Sequence, residues 1–91
     1  MKPLAPGRTR CCVPYCGRTF KVEPGSEVMC GKHWRMGPSA WRARHRKLRR
    51  LATAAELRHE MVTYDRIVEI CNRLWERIKE RCIGVAMGCG T

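Results

Sequence analysis

The 91-residue chain has a net charge of +11, from 19 Lys and Arg against 8 Asp and Glu, and contains seven Cys. A chain of this size forms at most one small domain and buries only about 60–65% of the surface its unfolded form exposes, so a staple is expected. Its start, MKPLAPGRTR, lacks the apolar run of a signal peptide, and no stretch is apolar enough to cross a bilayer, so export and membrane insertion are not expected. The chain reads as cytoplasmic, where thiols stay reduced. There, clustered cysteines with a histidine point to metal ligation rather than disulfides, and an odd total fits a disulfide framework poorly.

The charge is uneven. Residues 1–51 hold thirteen Lys or Arg against Glu23 and Glu27, whereas from residue 52 onward six basic residues balance six acidic ones. The two parts are therefore expected to meet different partners.

Residues 1–10, with two prolines and a glycine, read as a flexible basic tail. Residues 11–37 follow as a metal-binding module. Within it "RTFKV" and "SEVM" flank "EPGS", a pairing of proline and glycine that suits a tight turn, so a short hairpin is expected over residues 18–29. Cys30 opens a helical turn that Gly37 and Pro38 end. From Ser39 to Ile83 there is neither glycine nor proline, which makes residues 38–83 helical. Thr53 and Glu56 in "TAAE" can form a capping box, dividing this stretch into a basic helix over about 38–52 and an amphipathic helix over about 54–83. Gly84 is the expected helix stop, leaving residues 84–91 as a loose tail. The expected fold class is α+β, mostly helical.

Zinc takes four tetrahedral ligands, and ligand pairs a few residues apart let one tight turn supply two of them. Cys30 and His33 form one such pair on the first turn of a helix. For the other, Cys16 pairs with Cys11 or with Cys12, and the longer gap favours Cys11. Knuckle, hairpin and then a helix carrying the last two ligands is the order of treble-clef modules. Three thiolates and one imidazole leave no open position for water, so a single structural Zn2+ is expected. The deaminase pattern H-x-E with P-C-x-x-C and a redox C-x-x-C pair are both missing from the sequence, and enzyme activity is not expected.

The pattern C-x-V-P-x-C-G-R followed by C-x-x-H-W-R resembles small phage and prophage zinc-binding proteins. It is also similar to the zinc-binding segment that accompanies some HNH endonucleases. The resemblance covers roughly residues 11–42 and implies Cys11, Cys16, Cys30 and His33 as the ligands.

Trp34, Trp41 and Leu48 recur every seven residues, and Trp41, Leu48, Ala52 and Ala55 fall on one stripe of a helix. The tryptophans are expected to pack inward rather than stack on bases. Arg42, Arg46, Lys47, Arg49 and Arg50 spread over the other side, with Arg35 just upstream, and no acid lies between Lys32 and Glu56. A self-repelling face of this kind finds relief in a polyanion, and arginine suits bidentate phosphate contact. Nucleic acid is the expected partner, DNA ahead of RNA.

Leu57, Met61, Tyr64, Val68, Cys71, Trp75 and Ile78 alternate four- and three-residue steps, the a and d positions of a packing seam. A preceding helix that is shorter cannot cover all of it, so a homodimer or a protein partner is expected there. The functional expectation is non-catalytic, zinc-stabilised nucleic-acid binding. The alternative is an adaptor or inhibitor that docks through the seam and engages an acidic protein surface.

Overall fold

The computed structural model describes residues 7–23 and 25–88; the remainder of the expected tails, and Pro24 in the "EPGS" turn, lie outside them. Two short strands and three helices follow in order: β1 (Arg8–Arg10), β2 (Thr19–Lys21), α1 (Gly31–Trp34), α2 (Ser39–Leu57) and α3 (Met61–Ala86). The fold is mostly helical with a small hairpin. Among the described residues no helix is long and apolar enough to cross a membrane.

The hairpin is not the one expected over 18–29. β2 pairs antiparallel with β1, setting Arg8 opposite Lys21, Thr9 opposite Phe20 and Arg10 opposite Thr19. Arg8 reinforces the register by donating from Nε to Thr19 Oγ1 and from Nη2 to the Thr19 carbonyl, each at 2.9 Å. Residues 8–10, expected in the tail, are therefore a strand. The reason is the turn at Val13–Cys16, where the Cys16 N–H donates to the Val13 carbonyl at 3.2 Å and reverses the chain. The turn at Glu23–Ser26 does form, with Ser26 N–H donating to Glu23 O at 3.1 Å. The returning segment lies beside Cys11 instead of β2: Val28 makes a parallel bridge to Cys11, and the Cys12 N–H donates to the Val28 carbonyl at 2.8 Å.

The helix division also differs from the capping-box expectation. α2 runs through Thr53, whose hydroxyl donates to the Arg49 carbonyl inside the helix at 3.1 Å. It ends where His59 adopts a left-handed conformation, φ 59°. The His59 N–H donates to Glu56 O at 3.0 Å and the Glu60 N–H to Ala55 O at 2.9 Å, the paired bonds of a Schellman ending without its usual glycine. Three residues then suffice to turn the chain into α3, so α2 and α3 form an antiparallel helical hairpin.

Leu74, Ile78 and Cys82 of α3 form the centre of the core, with Trp41 and Leu48 of α2, Trp34 and Met36 near α1, and Met29 packed against them. Ala52 and Ala55 are buried on α2. A second cluster, Cys11, Val13 and Cys30, packs with Phe20, Met29, Ile83 and Ala86. The contacts of Ile83 and Ala86 explain why α3 does not stop at Gly84 but continues to Ala86, three residues into the expected tail. Gly37 lets the α1–α2 connection close on α3: a Cβ there would sit 3.1 Å from both Cys82 Sγ and Ile78 Cγ2.

Candidate metal centre and basic surface

The ligand atoms of Cys11, Cys16, Cys30 and His33 all lie within 4.8 Å of one another. Cys11 leaves β1, Cys16 closes the Val13–Cys16 turn, and Cys30 and His33 sit at the start and on the first turn of α1. Tyr15 takes φ 66° at the third position of that turn, where a type II geometry ordinarily asks for glycine. The Cys30 sulfur is 3.1 Å and the Cys11 sulfur 3.6 Å from His33 Nδ1, and the Cys16 and Cys30 sulfurs are 3.9 Å apart. Tetrahedral coordination with metal–sulfur bonds of about 2.3 Å has edges of roughly 3.8 Å, so these separations suit one ion with four ligands. The Cys30 N–H donates to Cys11 Sγ at 3.3 Å, the kind of outer contact that orients a thiolate ligand.

Two thiols of the cluster are shifted in opposite directions. Burial opposes ionisation of Cys30, yet the His33 backbone N–H, the Cys16 and Cys11 side chains and Arg18 outweigh it and hold its thiol below the ordinary value. Cys16 is pushed up by burial and by its Cys11 and Cys30 neighbours. Cys12 is outside the cluster. Burial, then Cys11, then Glu27 push its thiol up to about 11, which marks it as a protonated packing residue.

The basic residues do not share one surface. Arg42, Arg46 and Arg49, at helical positions i, i+4 and i+7, line a pocket together with Trp34, His45 and Trp75. Lys47 and Arg50 are exposed on other sides of α2, and Arg35 is exposed beyond α1. Arg42 is half-buried and donates from Nε to the Gly37 carbonyl at 3.1 Å. Among the described residues no salt bridge engages any basic residue of α2. Trp34 and Trp75 are half-buried and stacked, with ring centroids 5.7 Å apart, while His45 meets Trp34 edge-on at 5.4 Å. Trp41 lies under Arg77, whose guanidinium carbon is 5.0 Å from the ring centroid. The aromatic wall is invisible in the sequence, where Trp75 reads as a seam residue and Trp34 as core; the spacing of each along its own helix carries no sign of their meeting.

Of the expected seam, Cys71 and Ile78 are buried, Tyr64, Val68 and Trp75 are half-buried, and the end nearest the helical turn is open. Leu57 is 77% and Met61 50% exposed, with Val62 beside them at 74%.

Comparison with known protein families, with curated proteins and with solved structures finds no match to this chain. Function is therefore argued from the site and its surfaces.

Proposed function

We propose that the protein is a non-catalytic nucleic-acid-binding domain, stabilised by one structural zinc ion in a treble-clef-like module and contacting phosphates through α2. The observation that carries this reading is the set of basic residues on α2, Arg42, Arg44, Arg46, Lys47, Arg49 and Arg50, none held by an acid among the described residues. Arg35 extends the set. Basic residues crowded on one helix without counter-charges repel one another, on the pocket side and on the other sides alike, and phosphates relieve that repulsion with bidentate hydrogen bonds. A Cys3His ligand set favours zinc and leaves no coordination position for a substrate, which supports a scaffold role and a reducing, cytoplasmic setting.

The test is titration of zinc-loaded protein into labelled random duplex DNA at several salt concentrations, beside a variant with Arg42, Arg46, Arg49 and Arg50 replaced by Gln. Binding is expected to weaken steeply with salt, with a log–log slope that shrinks by about 0.9 for each phosphate that the variant no longer neutralises. Equal slopes for the two proteins, or no binding at low salt to duplex DNA, single-stranded DNA or RNA, would sink the reading.

A second reading, docking of a protein partner or a second copy of the chain, draws on the exposure of Leu57, Met61 and Val62 at the tip of the helical hairpin. It expects a Leu57→Ser, Val62→Ser variant to lose self-association in sedimentation while DNA binding is unchanged; a monomeric wild type would leave only a heterologous partner.

A further inference from the structure

A pocket of about 340 Å3 opens between α2, α3 and the segment that leads to Cys30. Arg42, Arg46 and Arg49 supply one side of it, and Trp34, His45 and Trp75 supply ring surface. Two features make this more than a gap between helices. The half-buried Arg42 is held in place by its bond to the Gly37 carbonyl, so its charge is positioned before any ligand arrives. The aromatic rings are also fixed, because Trp75 donates from Nε1 to Glu27 Oε1 at 3.2 Å and stacks on Trp34.

We propose that this pocket binds one nucleotide unit, with its phosphate against Arg42, Arg46 and Arg49 and its base against the aromatic wall of Trp34, His45 and Trp75. Cations beside ring surface are the combination a nucleotide requires, since each base presents a π face and each phosphate takes paired guanidinium donors. The volume lies at the small end of the roughly 300–1,000 Å3 typical of ligand pockets, the scale of a single nucleotide. Trp34 and Trp75 are already in stacking contact, so a base takes an outer ring surface and does not enter between them. Glu27, also on the lining, has both carboxylate oxygens engaged by Lys79, and Oε1 by Trp75 as well, so its place here is to anchor the aromatic wall. Neutral His45 adds ring surface without a competing charge, since burial and Arg49 hold its imidazole below its ordinary range.

A paired base inside a duplex cannot reach such a pocket without leaving its stack. The inference rests on the nucleic-acid reading and deepens it: the strand bound here is single-stranded or carries an unpaired nucleotide. A free nucleotide presents the same chemistry, and the test separates the two sources.

Metal-loaded protein is titrated with AMP, GMP, CMP, UMP, inorganic phosphate and single-stranded oligonucleotides while tryptophan fluorescence is followed. Duplex binding is read by anisotropy alongside. Saturable quenching by nucleotides or single strands is expected, without a matching response to inorganic phosphate. The exposed pair Arg46→Gln, Arg49→Gln should weaken it by about tenfold or more, whereas Arg66→Gln on α3, with the same charge change per site, should not. Single strands binding more tightly than monomers place the nucleotide within a strand; equal affinities make the pocket a free-nucleotide site. No saturable quenching by either class, or quenching indifferent to Arg46→Gln, Arg49→Gln, overturns the pocket. If duplex binding survives that result, the reading of α2 stands alone; if it is lost as well, both fail.

Discussion

Glu27 and Lys79, 52 residues apart in the chain, meet at 2.8 Å and clamp the Cys/His module to α3. The same carboxylate accepts from Trp75 Nε1, and Lys79 also reaches Glu76 at 2.9 Å. Lys79 is 18% exposed and Glu27 45%, so solvent screens part of the attraction. Lys79, then Trp75, hold the Glu27 carboxyl below the carboxylate range. Its stabilising effect is therefore present above the unfolded carboxylate pKa and is lost as pH falls through the folded value. A double-mutant cycle with Glu27→Gln and Lys79→Met, read by urea unfolding of metal-saturated protein at pH 7, should give a coupling of about 0.5–1 kcal/mol. A coupling of zero would mean that the clamp contributes nothing.

Metal removal should act on one part of the molecule first. The cluster of Cys11, Val13 and Cys30 is built around two of the ligands and packs with Phe20, Met29, Ile83 and Ala86, and zinc contributes about 10–16 kcal/mol of apparent binding energy in small modules. A chelator should collapse the amide dispersion of residues 8–33 in NMR spectra while α2 and α3 retain helical circular dichroism. Cobalt loading should produce the visible absorption of tetrahedral thiolate coordination, abolished by Cys16→Ser and retained in Cys12→Ser. Disappearance of the signal in Cys12→Ser instead would place the wrong cysteine in the site.

The left-handed His59 offers a stabilising substitution. A side chain at positive φ costs roughly 1–2 kcal/mol, which glycine avoids while losing part of the gain to greater unfolded-state freedom. His59 is exposed, so His59→Gly should raise stability by about 0.5–1 kcal/mol, measured as a higher urea midpoint at unchanged m. A lower midpoint would show that the imidazole holds the turn by a contact of its own.

His45 should make stability depend on pH. Its folded pKa is depressed by burial and by Arg49, so the unfolded chain takes up a proton that the folded chain refuses. Stability is full above the unfolded pKa of about 6.5 and declines as pH falls below it toward the folded value. The unfolding midpoint of metal-saturated protein should drop between pH 7.5 and 6, with a shallower dependence in His45→Phe. Identical slopes in the two proteins would assign the dependence to other groups.

The Cys/His cluster is legible in the sequence because each ligand pair lies within a short stretch of chain, although spacing leaves the first ligand open between Cys11 and Cys12, and only the folded chain brings Cys11 to the other three. The apolar stripe of α2 is legible for the same reason: Trp41, Leu48, Ala52 and Ala55 obey one helical period. Strand pairing is not, since Arg8–Arg10 carries no pattern of its own and acquires a partner only when the Val13–Cys16 turn brings β2 across. The helix boundary at His59 is hidden by the absence of glycine, and the Thr53 hydroxyl that suggests a cap bonds within the helix instead. The end of α3 is set by Ile83 and Ala86 meeting the Cys/His module, a tertiary contact that overrides Gly84. Glu27 reads as an isolated acid in a basic segment; its role depends on Trp75 and Lys79 at the far end of the chain.

The three-residue turn between α2 and α3 also bears on the order of folding. Contacts across that turn close short loops, whereas Glu27–Lys79 and Trp34–Cys82 span 52 and 48 residues. Loop-closure entropy makes the distant contacts late, so the helical pair leads and the Cys/His module docks after it. Damage to the Glu27–Lys79 clamp should then appear as faster unfolding with an unchanged refolding rate. Scarcity of metal would shorten the lifetime of the native state more than it would slow the approach to it.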